Sequence, residues 1–365
     1  MKKICHISTV HKSDDIRVFQ KECCSLVCPE REVFYVTAGD GSESVINDVN
    51  VITVEASKSR FKRFLLQPFR IFNRARKLRC DSYHFHDVEL WPIALLFKLL
   101  GNIVIADVHE NVPAQIRQRD WIPVFLKPFL SWLTGFIENN CSRFVDGVIA
   151  ADDVLANRFR KYNNNVVAIH NYPIFKEMPS RIKEQVYTVV SLGGFHDERC
   201  ADRIVEAARM FSDNITFVIG GGISTEYKRK IEVGGLPNNL YYAGYLNEAQ
   251  VKQCYADADL LLVMFSDQPN HIDIKSNRFF ESLYAKKPVI VSNMPTWQSF
   301  IDTHKCGTAV NPESGSDLYH AIAKIQNDSS LAAQMAKNGH EVVLSRFNWE
   351  VEKAKLTAFY DSLCK

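Results

Sequence analysis

The chain has 365 residues, with 44 Lys plus Arg against 42 Asp plus Glu, and its net charge of +2 gives no global field that would draw it to nucleic acid. That length exceeds what one core usually serves, so two domains are expected, and 46% hydrophobic residues describe an ordinary globular protein. Its 10 cysteines are scattered with no Cys-x-x-Cys pair, which removes the usual spacing of zinc and dithiol motifs and fits reduced thiols in a cytoplasmic protein.

MKKICHISTV begins with two lysines, but its apolar part is short and broken by His6, so it reads as a first strand rather than a signal peptide. Further strands are expected at Val33–Thr37, Tyr83–His86, Ile103–Asp107, Gly147–Ala150 and Val166–His170. LWPIALLFKLLGNIVIADV (90–108) is the most apolar stretch, yet Pro92, Lys98 and Gly101-Asn102 divide it into a helix and a strand rather than a membrane span. NYPIFKEMPSRIKEQ (171–185) has the composition of a linker. A second strand series follows at Tyr187–Leu192, Ile215–Ile219, Leu240–Ala243, Leu260–Met264, Val289–Val291 and Thr308–Val310, and 349–363 reads as a final helix. Val/Ile-rich runs without polar alternation, separated by helix-length segments, are the pattern of buried parallel strands in doubly wound α/β sheets. The expected domains are 1–175 and 185–345, with 346–365 as a helix able to pack back across them.

In such sheets ligands bind beyond the carboxyl ends of the strands. Those loops read STVHKSDDIR, HFHDVE, DVHENVP, LGGFHDER, IGGGIST, MFSDQPNHIDIKSN and VSNMPT, and seven polar loops from both series point to a cleft between facing edges. LGGFHDER offers Gly193 and Gly194 for close backbone approach and Arg199 at the start of a helix predicted over 200–211, a combination that suits an anion. SNRFFESLYAKKPVIVSN (276–293) places Asn277, Arg278 and Glu281 on one face of a short helix, with Ser276 as a cap. Its simplest alternative is a surface Arg278–Glu281 ion pair worth ~0–1 kcal/mol. Glu281, one turn beyond, is placed to hold ribose hydroxyls, and Asp273 lies in reach of the same ligand. Neither loop is a Walker P-loop, and IGGGIST lacks full dinucleotide-binding spacing. No Asp-x-Asp pair stands near these loops, so no metal and no cofactor is expected. A lone His after a strand is more often structural, but His86 and His109 end neighbouring strands.

These segments resemble the family-4 glycosyltransferases, retaining nucleotide-sugar-dependent enzymes of the GT-B fold, over essentially the whole chain. NRFFESLYAKKPVIVS is similar to the family's Asn-Lys-x-x-Glu helix, LGGFHDERCADRIVEA to its phosphate loop, and DVHE to its active-site histidine segment. HKSDDIRVFQKE and YHFHDVEL are similar to its bacterial polysaccharide-assembly branch. The resemblance implies an α/β fold of two Rossmann-like doubly wound domains facing across a cleft. It further implies transfer of a hexosyl unit from a nucleoside-diphosphate sugar to a glycan or polyprenyl-linked sugar acceptor in cell-surface polysaccharide biosynthesis, such as lipopolysaccharide or capsule. His109, Glu281 and Arg199 would be catalytic. Gly193, Gly194, Arg199, Asp273, Asn277, Arg278 and Glu281 would bind the donor, and Asp14, Arg17, His86 and Glu110 would lie on the acceptor side. The family's paired glutamates appear here as Asp273 and Glu281, and its phosphate-binding lysine as Arg278. The glycine usual before Lys-Pro is Lys286, a cheap change if that turn keeps a negative φ.

Residues 58–79 carry nine Lys or Arg and no acid, with Phe61, Phe64, Leu65, Phe69 and Phe72 at helix-like spacing. A basic amphipathic segment of this kind docks on anionic membrane, and Trp121, Phe125 and Phe129 in the same domain add to it. A peripheral location at the inner membrane face follows as an expectation. Two other functions use the same architecture: a sugar-nucleotide 2-epimerase, and a catalytically silent partner subunit that binds nucleotide or glycan.

Overall fold

The structure, a computed structural model, describes residues 1–57, 60–119, 121–182, 186–212, 214–268 and 276–363, with the side chains of 60–64 outside that description. It comprises two compact units, Met1–Asn171 with Trp349–Lys365, and Tyr172–Asn348.

The first unit holds strands β1 (Lys2–Ile7), β2 (Arg31–Gly39), β3 (Glu43–Ile46), β4 (Val49–Glu55), β5 (Ser82–Phe85), β6 (Ile103–Val108), β7 (Gly147–Ala150) and β8 (Val166–Ala168). They form one sheet in the order β3-β4-β2-β1-β5-β6-β7-β8, parallel except for β3. Cys5, Ile7, Phe85, Val104 and Val148 pack into one core while Ile4, Val33, Ile105 and Ile149 pack into another, so the sheet is buried on both faces, as its apolar runs require. The β3–β4 hairpin departs from the expected strand series. Asn47 and Asp48 both take positive φ, 51° and 61°, the primed turn that Asn and Asp tolerate best, and it folds ESVI back on VNVITVE. The final helix, Trp349–Leu363, lays Trp349, Leu356 and Tyr360 against the Ile4 core and belongs to this unit.

The second unit holds β9 (Tyr187–Leu192), β10 (Ile215–Gly220), β11 (Leu240–Gly244), β12 (Leu260–Val263), β13 (Val289–Ser292) and β14 (Gly307–Val310). All are parallel, in the order β11-β10-β9-β12-β13-β14. In each unit the first strand is central and the order reverses beside it, between β1 and β5 and between β9 and β12. Those switch points are where open α/β sheets place ligands. The turn before β13 does need positive φ: Lys286 sits at 57°, which corrects the reading of Lys286 as a cheap change. A side chain in the left-handed region costs ~1–2 kcal/mol that glycine avoids.

Candidate functional site

In the first unit the β1–β5 register sets His6 beside His84, and a period of two along β5 places His86 on the same face. Ring centroids lie 4.4 Å apart for His6–His84 and for His84–His86. At the end of β6, Asp107 Oδ2 lies 2.7 Å from His109 Nε2 and 3.2 Å from His86 Nδ1. A carboxylate only accepts, so both ring nitrogens carry their proton toward Asp107, and a neutral His109 keeps its Nδ1 as an acceptor.

Behind Asp107 stands the π-helix Ile16–Cys23, whose wide first turn is capped by Asp15 accepting from the N–H groups of Arg17 and Val18. Arg17 is buried, its Nη2 3.2 Å from Asp107 Oδ1, its Nε 3.1 Å from Glu22 Oε1, and its Nη1 donating to the Ile169 carbonyl at 3.1 Å. Burial opposes the charge on Asp107, but Arg17 and then His109 hold its carboxyl well below the usual range. Burial and neighbouring Asp107 push Glu22 up. Burial also lowers His86 to about 4, against the pull of Asp107, so its imidazole is neutral near pH 7.

His86, Asp107, His109 and Glu110 line a cavity of about 320 Å³ together with His11, Asp87 and Glu89. Asp87 accepts from Thr9 N at 2.6 Å and Ser8 Oγ at 2.7 Å, which fixes the loop after β1. His11 Nδ1 lies 3.0 Å from Asp15 Oδ2; burial works against its charge, but the bond to Asp15 and the nearby Asp87 raise its pKa above the ordinary 6.5. A group raised on folding stabilises below its unfolded pKa and loses that contribution as pH climbs through the folded value. The protein should therefore lose stability as pH rises past 6.5, and His11→Asn should flatten that part of the profile, read by denaturant unfolding across pH.

The structure brings His86 and His109 together through Asp107, the first residue of DVHE, to which the sequence reading gave no role of its own. Arg17 orders that carboxylate from within the core. Glu110 is exposed and accepts from Gln115 Nε2, while Asp14 is exposed and makes no side-chain hydrogen bond among the described residues.

In the second unit the two glycine loops pack on each other. Gly193, Gly194 and Gly221 take φ of 138°, 124° and 127°, and a Cβ on Gly221 would meet Gly194 N at 2.5 Å. Gly193 N and Gly194 N both donate to the Gly220 carbonyl, so these amides hold the loop rather than point outward. What the tight loop delivers is Arg199, at the end of a short 3-10 turn (Asp197–Arg199) before the helix Ala201–Met210. Its guanidinium lies 3.7 Å from the centroid of Phe265, just after β12, and forms no ion pair among the described residues. Burial lowers the Arg199 pKa; the neighbouring Glu198 carboxylate opposes this and the charge of Arg278 adds to it.

The helix Asn277–Tyr284 buries Phe279, Phe280 and Leu283 and leaves Asn277, Arg278 and Glu281 half-buried. Ser276 precedes it without a side-chain cap bond. Arg278 Nη1 does pair with Glu281 Oε2 at 3.2 Å, and Tyr255, from the helix Glu248–Asp257, donates to the same oxygen at 2.9 Å. Glu281 is thereby fixed by two donors, while its other oxygen, Oε1, takes no hydrogen bond among the described residues. Asp273 lies outside the described residues. Thus Arg199, Arg278 and Glu281 gather at one side of this sheet, with Tyr255 and Phe265, absent from the sequence reading, fixing two of them.

Residues 175–342 match the family model described as glycosyl transferases group 1. The lipopolysaccharide core biosynthesis glycosyltransferase LpsE of Rhizobium meliloti (strain 1021) is 23% identical over 163 residues, a stretch covering 44% of this chain and 46% of that protein. Among solved structures, the sucrose-phosphate synthase (tll1590) of Thermosynechococcus elongatus superposes with a TM-score of 0.72 at 16% identity, over 100% of this chain and 99% of that one. Anabaena HepE, solved in complex with UDP and glucose, gives a TM-score of 0.66 at 13% identity over 99% and 100%. The fold is that of the GT-B glycosyltransferases, and the second unit is similar to the glycosyl transferases of group 1.

Proposed function

We propose that the chain is a retaining hexosyltransferase of the family-4 type, moving a hexosyl unit from a nucleoside-diphosphate sugar to a glycan or lipid-linked sugar acceptor in cell-surface polysaccharide assembly. The observation that carries the reading is the Arg199–Arg278 pair. Two guanidiniums sense each other's charge beside one sheet edge, and Arg199 forms no acidic pair among the described residues. Glu281 already balances Arg278, which leaves Arg199 as the guanidinium open to an anion, and a diphosphate leaving group is such an anion. Glu281 then accepts the ribose hydroxyls, with Asn277 and Asp273 completing the donor site. His109, its Nε2–H spent on Asp107, meets the donor sugar near the reacting carbon. The acceptor lies toward His86, Arg17, Asp14 and Glu110. Charge on the departing phosphate is neutralised by guanidinium alone, with no divalent ion and no cofactor. HepE, a structural neighbour, is solved with UDP and glucose, and LpsE is named for lipopolysaccharide core biosynthesis, which supports both the donor class and the pathway class.

Features of the first unit support a location at a membrane surface. Trp121, Phe125, Phe129, Trp132 and Phe136 are all more than half exposed, and so is Phe69 on the basic helix Arg60–Ala75. No helix among the described residues is long and apolar enough to cross a membrane. Basic helices and exposed aromatic residues of this kind bind anionic lipid peripherally.

A thermal-shift panel of UDP, GDP, ADP and dTDP sugars tests the donor site. One base should raise the melting temperature, by ~2.7 kcal/mol of stabilisation at a hundredfold excess over Kd. Glu281→Ala should lose that shift. No shift with any of the four would remove the reading.

A further inference from the structure

The buried face behind Asp107 holds more polar groups than the proposed reaction uses. His6, His84, His86 and Glu22 are all 5% exposed or less, set among Ile4, Val18, Phe19, Ile105 and Tyr360. One ligand atom from each lies within 4.8 Å of the others. A hydrogen-bond chain accounts for part of the set. His86 Nδ1 donates to Asp107, His6 Nδ1 lies 3.0 Å from His86 Nε2, and Tyr360 Oη lies 3.4 Å from His6 Nε2 and 2.8 Å from His84 Nδ1. Two members stay unsatisfied. His84 Nε2 has no partner, and neither oxygen of Glu22 is hydrogen-bonded, although Arg17 Nε lies 3.1 Å from Glu22 Oε1 as an ion pair. Buried polar atoms without partners are rare and costly, about 1–3 kcal/mol each. Arg17 is also shared between two carboxyl groups, those of Asp107 and Glu22.

We infer that His6, His84, His86 and Glu22 form a structural site for a divalent transition ion of the zinc class. Three imidazoles and one carboxylate are the donor set and number that zinc takes in a closed tetrahedral site. Their outer partners have the required form. His84 presents Nε2 because Tyr360 occupies Nδ1, His86 presents Nε2 because Asp107 occupies Nδ1, and Arg17 backs the carboxylate. His6 presents Nδ1 when its Nε2 turns its proton to Tyr360. Donors around zinc at about 2.0–2.1 Å lie about 3.4 Å apart, so movements on the order of an ångström close the cage. The ion would pin β1, β5 and the π-helix together directly behind Asp107, and it would sharpen the His86 Nδ1–H bond that orients this carboxylate. It sits in the first unit and is separate from the diphosphate site, so its failure would leave the proposed transfer reaction standing.

The test is metal content and reconstitution of the full chain without an affinity tag. Purified protein dialysed against metal-free buffer should carry about one equivalent of zinc, as a closed structural site retains it. Chelation should lower the melting temperature and zinc should restore it, and cobalt in its place should give the intense visible band of tetrahedral coordination. His84→Gln and Glu22→Gln, which keep volume, should each lose the bound metal. Should either variant fail to fold, reconstitution of the stripped wild type decides. A stripped protein that takes up neither zinc nor cobalt would overturn the inference and leave Glu22 as a buried protonated acid. Undiminished zinc in His84→Gln would overturn it as well.

Discussion

Arg199→Ala is expected to lower the turnover of sugar transfer by roughly 10²–10³-fold, about 3–4 kcal/mol of barrier, the range for removing one preorganised donor from a developing anion. The geometry explains why the effect should be large. The guanidinium is held 3.7 Å from the Phe265 ring by a glycine loop that admits no side chain at Gly221, so its position is set before any ligand arrives. It also forms no ion pair among the described residues, although the Glu198 carboxylate next to it offsets part of its charge. The loss should fall mainly on kcat, since the charge it answers appears on the leaving phosphate only as the sugar bond breaks. Arg199→Lys should recover part of the rate but not all, because an ammonium keeps the charge without the planar fork. Steady-state kinetics of nucleoside-diphosphate release, with the melting temperature as a folding control, read both variants. Unchanged kcat in Arg199→Ala would assign the diphosphate to another group.

Arg17→Met should cost about 3–5 kcal/mol of stability, the usual result of taking one partner from a buried ion pair. Arg17 is 6% exposed and is the cation facing both Asp107 and Glu22, so removing it leaves two carboxyls in an apolar core. The loss should also depend on pH. Without the guanidinium, burial lifts the folded pKa of Asp107 above its unfolded value. A carboxyl raised on folding binds more protons in the native state, so stability falls as pH climbs through the window between the two values. Arg17→Met should accordingly lie closest to wild type in mild acid and furthest from it above neutrality, by denaturant unfolding at several pH values. An equal deficit at every pH would mean that the cation does not control the ionisation of Asp107.

The parts of this architecture that repeat along the chain could be read from it. Val/Ile runs such as VIVS and TVVSL announce parallel strands because both faces are covered, and loops such as LGGFHDER stand out because glycine and arginine follow a buried strand. The β3–β4 hairpin escaped because its signal is two residues, Asn47-Asp48, rather than a periodic run. The buried network escaped for a different reason. Asp107, Glu22 and His6 come from three separate elements and look like ordinary strand or helix residues until the sheet aligns them. One trace was present: His84 and His86 share a face by period two, and His6 lies in the strand that registers with His84. Glu281 was legible as a functional type, but Tyr255, which holds it, lies 26 residues upstream with no spacing to betray it. Gly193 and Gly194 read as allowing close backbone approach to an anion. Their amides donate to the Gly220 carbonyl, and the loop they hold places Arg199.

The proposed sugar transfer needs both His109 and Glu281. The most direct measurement is acceptor-dependent release of nucleoside diphosphate from a sugar nucleotide, with purified wild type, His109→Ala and Glu281→Ala compared under identical conditions. The account predicts release by the wild type and a loss of about 10²-fold or more in each variant, with melting temperatures close to wild type. Full activity in both variants would contradict it.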